Sequence, residues 1–140
     1  MDKQTHALEL KRSFAAPRER VFRAWTDATE IAKWFGPEGF SNTVHVMDVR
    51  AGGAYRMTMQ GPDGAHTVSG VFREIVSPER IVMTWQWEGA PWESVVTVEL
   101  KEADGGTELT LTHSGFPDEG AKNDHRKGWE SSFIELEKVL

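Results

Sequence analysis

Apolar and polar positions alternate through most of this sequence, most sharply between residues 81 and 87. In a strand, Ile81, Met83, Trp85 and Trp87 share one face, and Val82, Thr84 and Gln86 share the other. Tyr55, Met57 and Met59 repeat the pattern. Six consecutive strands are predicted, over 42–50, 54–60, 67–76, 80–87, 92–101 and 107–112. Gly52-Gly53, Gly61-Pro62-Asp63-Gly64, Ser77-Pro78, Gly89-Ala90-Pro91 and Asp104-Gly105-Gly106 punctuate them. Connections this short imply an antiparallel meander. A further strand over 6–14 precedes them, with Leu8 and Leu10 alternating against charged residues.

Three segments change to a helical period. After Ala16-Pro17, the residues Val21, Phe22 and Trp25 recur at one-turn spacing, and Pro17 suits the first helical position. A short second helix is predicted from Asp27, with Glu30 at capping-box spacing and Gly36-Pro37 as its stop. From 118 to 140, His125, Trp129, Ser132, Phe133, Leu136 and Leu140 form one stripe of a long helix. An antiparallel sheet with one polar face must cover its other face, and only this last helix is large enough to do so. The expected fold class is therefore α+β. A curved antiparallel sheet wraps around a long C-terminal helix, and two short helices follow the first strand. Residues 1–140 read as a single domain, since no repeat, linker or low-complexity tract divides them.

Composition narrows the partners. The 16 Lys and Arg against 22 Asp and Glu give a formal net charge of −6, which argues against nucleic acid or an anionic membrane surface. With 0 Cys, disulfides and thiolate chemistry are excluded. The polar first residues lack the apolar stretch of a secretory signal, and no run approaches a membrane span. A cytoplasmic location is the expectation. Cores draw mostly on Leu, Ile and Val. The Trp, Tyr and Met on two strand faces point instead to a pocket for a bulky apolar or aromatic molecule.

Several segments, in this order, resemble a known family. They are Phe14-Ala15-Ala16-Pro17 with Val21-Phe22 and Ala24-Trp25-Thr26; Trp34-Phe35-Gly36-Pro37; Ala51-Gly52-Gly53-Ala54-Tyr55; Gly70-Val71-Phe72-Arg73-Glu74-Ile75; Pro78-Glu79-Arg80-Ile81-Val82-Met83-Thr84-Trp85; and His113-Ser114-Gly115-Phe116 with Gly128-Trp129. Together, over 14–140, they resemble the heat-shock-protein ATPase activator-like (AHSA-like) family of the START-like (SRPBCC) superfamily. The resemblance implies a helix-grip fold with an interior cavity. Superfamily members bind lipids, sterols, polyketides and plant hormones, and some are cyclases or hydroxylase components. The eukaryotic co-chaperone that names the family carries such a domain beside a second, N-terminal one, for which 140 residues leave no room.

The candidate chemistry is sparse. His6, His45, His66, His113 and His125 form no H-x-x-x-H pair, so neither a metal site nor a cofactor is expected. No nucleophile elbow or triad is legible. His113 is the one weak catalytic candidate, because it shares the inward face of Leu109 and Leu111. The predicted ligand-binding residues are Trp34, Tyr55, Met57, Met59, Trp85, Trp87, Trp129 and Phe133, with His113 as a polar anchor. Ile81 and Met83 belong to the core. Gly128 and Ser132, one turn apart, leave a notch beside Trp129. Trp34-Phe35-Gly36-Pro37 reads either as a gate over the mouth or as a hydrophobic staple on the sheet edge, and Trp92, if exposed, favours a homodimer or another partner surface. The primary functional expectation is binding of a small hydrophobic or aromatic molecule. The alternatives are a polyketide cyclase- or hydrolase-like enzyme using His113 as acid or base, and a chaperone cofactor activating an ATPase through its surface.

Overall fold

The computed structural model describes residues 6–140. Strand β1 (His6–Phe14) leads into helices α1 (Arg18–Thr26) and α2 (Ala28–Trp34). The meander follows: β2 (Ser41–Met47), β3 (Ala54–Gly61), β4 (Gly64–Val76), β5 (Arg80–Trp87), β6 (Ser94–Ala103) and β7 (Gly106–Phe116). Helix α3 (Glu119–Val139) closes the described chain. All seven strands form one antiparallel sheet in the order β1-β7-β6-β5-β4-β3-β2. This is the sheet covered by a long C-terminal helix that the alternating pattern and the apolar stripe predict, and the helix-grip fold that the resemblance implies.

The boundaries differ locally. Strand β7 extends to Phe116 rather than stopping at Thr112, so His113 lies within it and pairs with both Leu8 and Val96. Strand β6 starts at Ser94, two residues later than expected. Pro17 occupies the N-cap position with extended backbone, and the helix begins one residue on. Asp27 caps α2 by accepting from the Thr29 and Glu30 amides at 2.9 and 3.1 Å. Only half of the capping box forms, because Glu30 turns away to pair with Arg20.

The register of β4 on β5 shifts between Phe72 and Glu74, a bulge-like irregularity of the kind that bends a strand. Thr84 is the hub of this distortion. Its hydroxyl accepts from the Val71 amide, and its carbonyl accepts from the Tyr55 hydroxyl. Gly70 is required here, since a Cβ would sit 2.2 Å from the Thr84 carbonyl oxygen.

The concave face packs on α3 through Trp129, Ser132, Phe133 and Leu136. Phe14 and Phe133 meet edge-on at 6.3 Å, and α1 adds Trp25, stacked on Trp129 at 5.7 Å. Arg20 of α1 donates to the Val139 carbonyl at 2.7 Å, tying the last turn of α3 to the first helix. Ile81 and Met83 lie in this core.

Candidate ligand-binding site

A cavity of about 170 Å³ opens where the sheet and α3 diverge. Met59 of β3 with Trp85 and Trp87 of β5 form its sheet wall. His125, Gly128, Trp129 and Ser132 of α3 form the facing wall, with Asp124 beside them. Their spacing places them along one helix face. Phe35, Gly36 and Pro37, just after α2, close a third side. A larger and more polar groove of about 580 Å³ adjoins the cavity, sharing Met59, Trp87 and Asp124 with it.

Backbone details hold these walls. Gly36 has φ +88°, a left-handed conformation that turns the chain over the cavity and suits glycine. Its amide donates to Ser132 Oγ at 3.0 Å, fastening the loop to α3. Gly128 forms the notch. A Cβ built there meets nothing within 4 Å, so close packing does not require this glycine. It stands in a helix interior, where glycine is unfavourable by about 1 kcal/mol relative to Ala.

The predicted lining residues separate into two groups. Met59, Trp85, Trp87 and Trp129 border the cavity together. Trp34, Tyr55, Met57, Phe133 and His113 do not border it and are packed in the core. Trp34 donates its indole N–H to the Ala24 carbonyl at 2.9 Å, and Phe133 faces Phe14 and Trp25. Burial raises the Tyr55 phenol pKa well above its ordinary value, with Glu93 adding to the effect. Of the predicted gate, Phe35, Gly36 and Pro37 reach the cavity and Trp34 turns inward. His125 is a wall residue that the lining prediction omits. Its place one turn before Trp129 on the apolar stripe was the available signal.

Two histidines brace the aromatic wall. His125 Nε2 accepts from the Trp87 indole at 2.9 Å, and its Nδ1 lies 2.8 Å from the Ala121 carbonyl. Those partners place its proton on Nδ1. His113 Nδ1 accepts from the Trp129 indole at 3.1 Å. Its Nε2–H donates to Ser94 Oγ at 2.8 Å, and Ser94 donates onward to the Trp85 carbonyl. Both rings are neutral in this arrangement, and they approach each other to 5.1 Å. Burial, reinforced by His125, pushes the His113 pKa down to about 2. Burial also lowers that of His125, opposed by the Ala121 carbonyl and by Asp124.

This geometry bears on the chemical alternatives. Ser94 accepts a hydrogen bond from His113 and donates its own to the Trp85 carbonyl, the reverse of an activated nucleophile, whose hydroxyl donates to the base. His113 is wholly buried, and burial keeps its ring neutral near pH 7. Among the described residues, no three His, Asp or Glu side chains converge as metal ligands would. Trp92 is half-buried rather than exposed, packing edge-on against Phe116 at 5.9 Å and His125 at 5.8 Å. The observation that suggested a dimer face is therefore absent, because the aromatic cluster gives Trp92 an internal partner. No described helix is long and apolar enough to cross a membrane.

Comparison with known proteins places the whole arrangement. A solved structure of a Chromobacterium violaceum protein matches with a TM-score of 0.90 and 33% identity, over 96% of each chain. The AHSA1 protein of Silicibacter pomeroyi matches with a TM-score of 0.85 and 29% identity, covering 96% of this chain and 97% of its own. Mouse "activator of 90 kDa heat shock protein ATPase homolog 2" is 32% identical over 115 residues, 81% of this chain. The alignment spans only 31% of that longer relative. The family model for "Activator of Hsp90 ATPase homolog 1-like protein" matches residues 15–140, and the chain belongs to that family.

Proposed function

We propose that this domain binds a small aromatic or hydrophobic molecule between β5 and the Gly128 notch of α3. The observation that carries the reading is the notch itself. An unfavourable helix-interior glycine faces open space bounded by Trp85, Trp87 and Trp129. A volume of about 170 Å³ is below the usual ~300–1,000 Å³ of drug-sized pockets. It is close to the ~150 Å³ apolar cavity that accepts benzene. The cavity itself thus holds about one ring, and the adjoining groove of about 580 Å³ leaves room for the rest of a longer molecule. Burying ~150 Å² of apolar surface contributes about 4 kcal/mol, which corresponds to millimolar affinity.

The test is a titration with one-ring aromatics followed through the indole N–H resonances in NMR. Saturable shifts at Trp85, Trp87 and Trp129 are expected, and Gly128→Leu should abolish them while keeping the native spectrum elsewhere. Unchanged binding in folded Gly128→Leu would place the ligand elsewhere.

A second reading rests on the mouse relative, whose name describes an activator of a 90 kDa heat shock protein ATPase. On that reading the domain acts on a chaperone through its outer surface. Added to a purified Hsp90, it should raise ATP turnover, and it should do so equally well with Gly128→Leu. Unaltered turnover would count against it.

A further inference from the structure

Two spaces of unlike character meet at Met59, Trp87 and Asp124, which border both. The cavity side is enclosed mainly by Phe35, Pro37, Trp85 and Trp129, around about 170 Å³. The polar atoms of its His125 and Ser132 are already engaged by protein partners. The groove side presents His66, Thr67 and Glu88, around about 580 Å³. A ring seated in the cavity therefore leaves a substituent directed past Met59 and Trp87 in a larger, polar space. Met59 suits this boundary. It is half-buried, its thioether lies beside Gly36, and an unbranched side chain repacks easily around a passing chain.

Charge restricts what that substituent is. No Lys or Arg lines the cavity or the groove. Glu88 is already paired with Arg56 at 2.9 Å. Asp124 borders both spaces, and its carboxylate forms no ion pair among the described residues. A carboxylate offers only acceptors, so its complement is a donor, and its charge favours a cationic one. An anionic group at the same place would meet repulsion without a countercharge. Trp87 adds an aromatic surface there, of the kind that attracts an ammonium group.

We propose, on the reading that the cavity is the ligand site, that the ligand is an arylalkylamine. Its ring lies in the cavity, its chain passes Met59 and Trp87, and its ammonium group pairs with Asp124. Apolar burial of the ring supplies most of the affinity, and Asp124 selects among the tails.

3-Phenylpropylamine, 3-phenylpropan-1-ol and 3-phenylpropionate share ring and chain and differ in the charge at the end. Their dissociation constants should be measured by NMR for the wild type, Asp124→Asn and Glu130→Gln. Glu130 is exposed on the same helix and borders neither space, so its substitution makes the same charge change elsewhere. The wild type should bind the amine tightest and the carboxylate weakest. In Asp124→Asn the ratio of the carboxylate constant to the amine constant should fall about tenfold, one exposed ion pair lost and one repulsion removed. In Glu130→Gln it should stay unchanged, and added salt should narrow it in the wild type. His66 borders the groove alone and Trp129 the cavity alone. The amine should therefore shift both resonances, and toluene only that of Trp129. Equal ratios in the wild type and Asp124→Asn, or a carboxylate that binds the wild type as tightly as the amine, overturn the proposal. The cavity reading then stands if toluene still shifts Trp129. No shift of Trp129 with any of the four compounds overturns both.

Discussion

His113 has the surroundings of a core residue and the partners of a brace. Its two nitrogens join Trp129 on α3 to Ser94 on β6, and through Ser94 to the Trp85 carbonyl. Both tryptophans that it steadies line the cavity. This neutral bracing has a cost that depends on pH. The folded pKa is about 2, whereas an unfolded histidine titrates near ~6.5. Below pH ~6.5 the unfolded chain gains a proton that the native state refuses, so stability is full above that pH and falls as the pH drops. The slope from one such group is about 1.4 kcal/mol per pH unit, and His125, also lowered, acts in the same direction. Urea denaturation from pH 6 to 4.5 should therefore show a shallower decline for His113→Gln than for the wild type, by about 1 kcal/mol per pH unit. Equal slopes would show that His113 is protonated in the folded protein. The inward position of His113 was legible from its alternation with Leu109 and Leu111. Its hydrogen-bond partners were not, because Ser94 and Trp129 are brought to it by β6 and α3, distant in sequence.

Helix α3 shows most clearly what periodicity reveals and what it hides. The stripe through Trp129, Phe133 and Leu136 foretells a helix lying on the sheet, and these residues are buried there. The stripe does not say where helix and sheet part, and only that separation decides which of its residues border space. Phe133 lies where the layers close and Trp129 where they open, although they sit one turn apart on the same face. Strands β3 and β5 divide in the same way. Tyr55 and Met57 lie in the closed part and Met59 borders the opening, while along β5 the core gives way to cavity at Trp85. The Thr84 hydrogen bonds and the β4 register shift likewise leave no periodic mark in the sequence. Gly128 sits at the opening, and the space beside it separates two properties that usually travel together. Gly128→Ala should stabilise the protein by about 0.5–1 kcal/mol, since helix propensity improves and the new methyl meets no atom. It should also weaken binding of one-ring ligands by narrowing the notch. Thermal denaturation beside the NMR titration checks both effects. A destabilised Gly128→Ala would mean that the notch is packed in solution.

At the scale of the whole molecule, the chain lays its first two strands on opposite edges of the sheet. Strand β1 pairs with β7 and β2 with β3, so α1 and α2 carry the chain from one edge to the other. The strand order was not readable from alternation, which identifies strands but not neighbours separated by most of the chain. Short turns implied the run β2 to β7 and left the place of β1 open. The same arrangement governs the order of events during synthesis. His6–Phe14 leaves the ribosome long before Thr107–Phe116, its only partner in the sheet, has been made. At ~5–20 residues per second, the wait is roughly 5–20 s. Throughout that interval β1 is an unpaired strand with Leu8 and Leu10 on one side. Glu9, Lys11 and Arg12 lie among and beside them, and charges interspersed in this way discourage a waiting edge from pairing with another chain. The charged positions of β1 thus protect the nascent protein as well as coating the finished one.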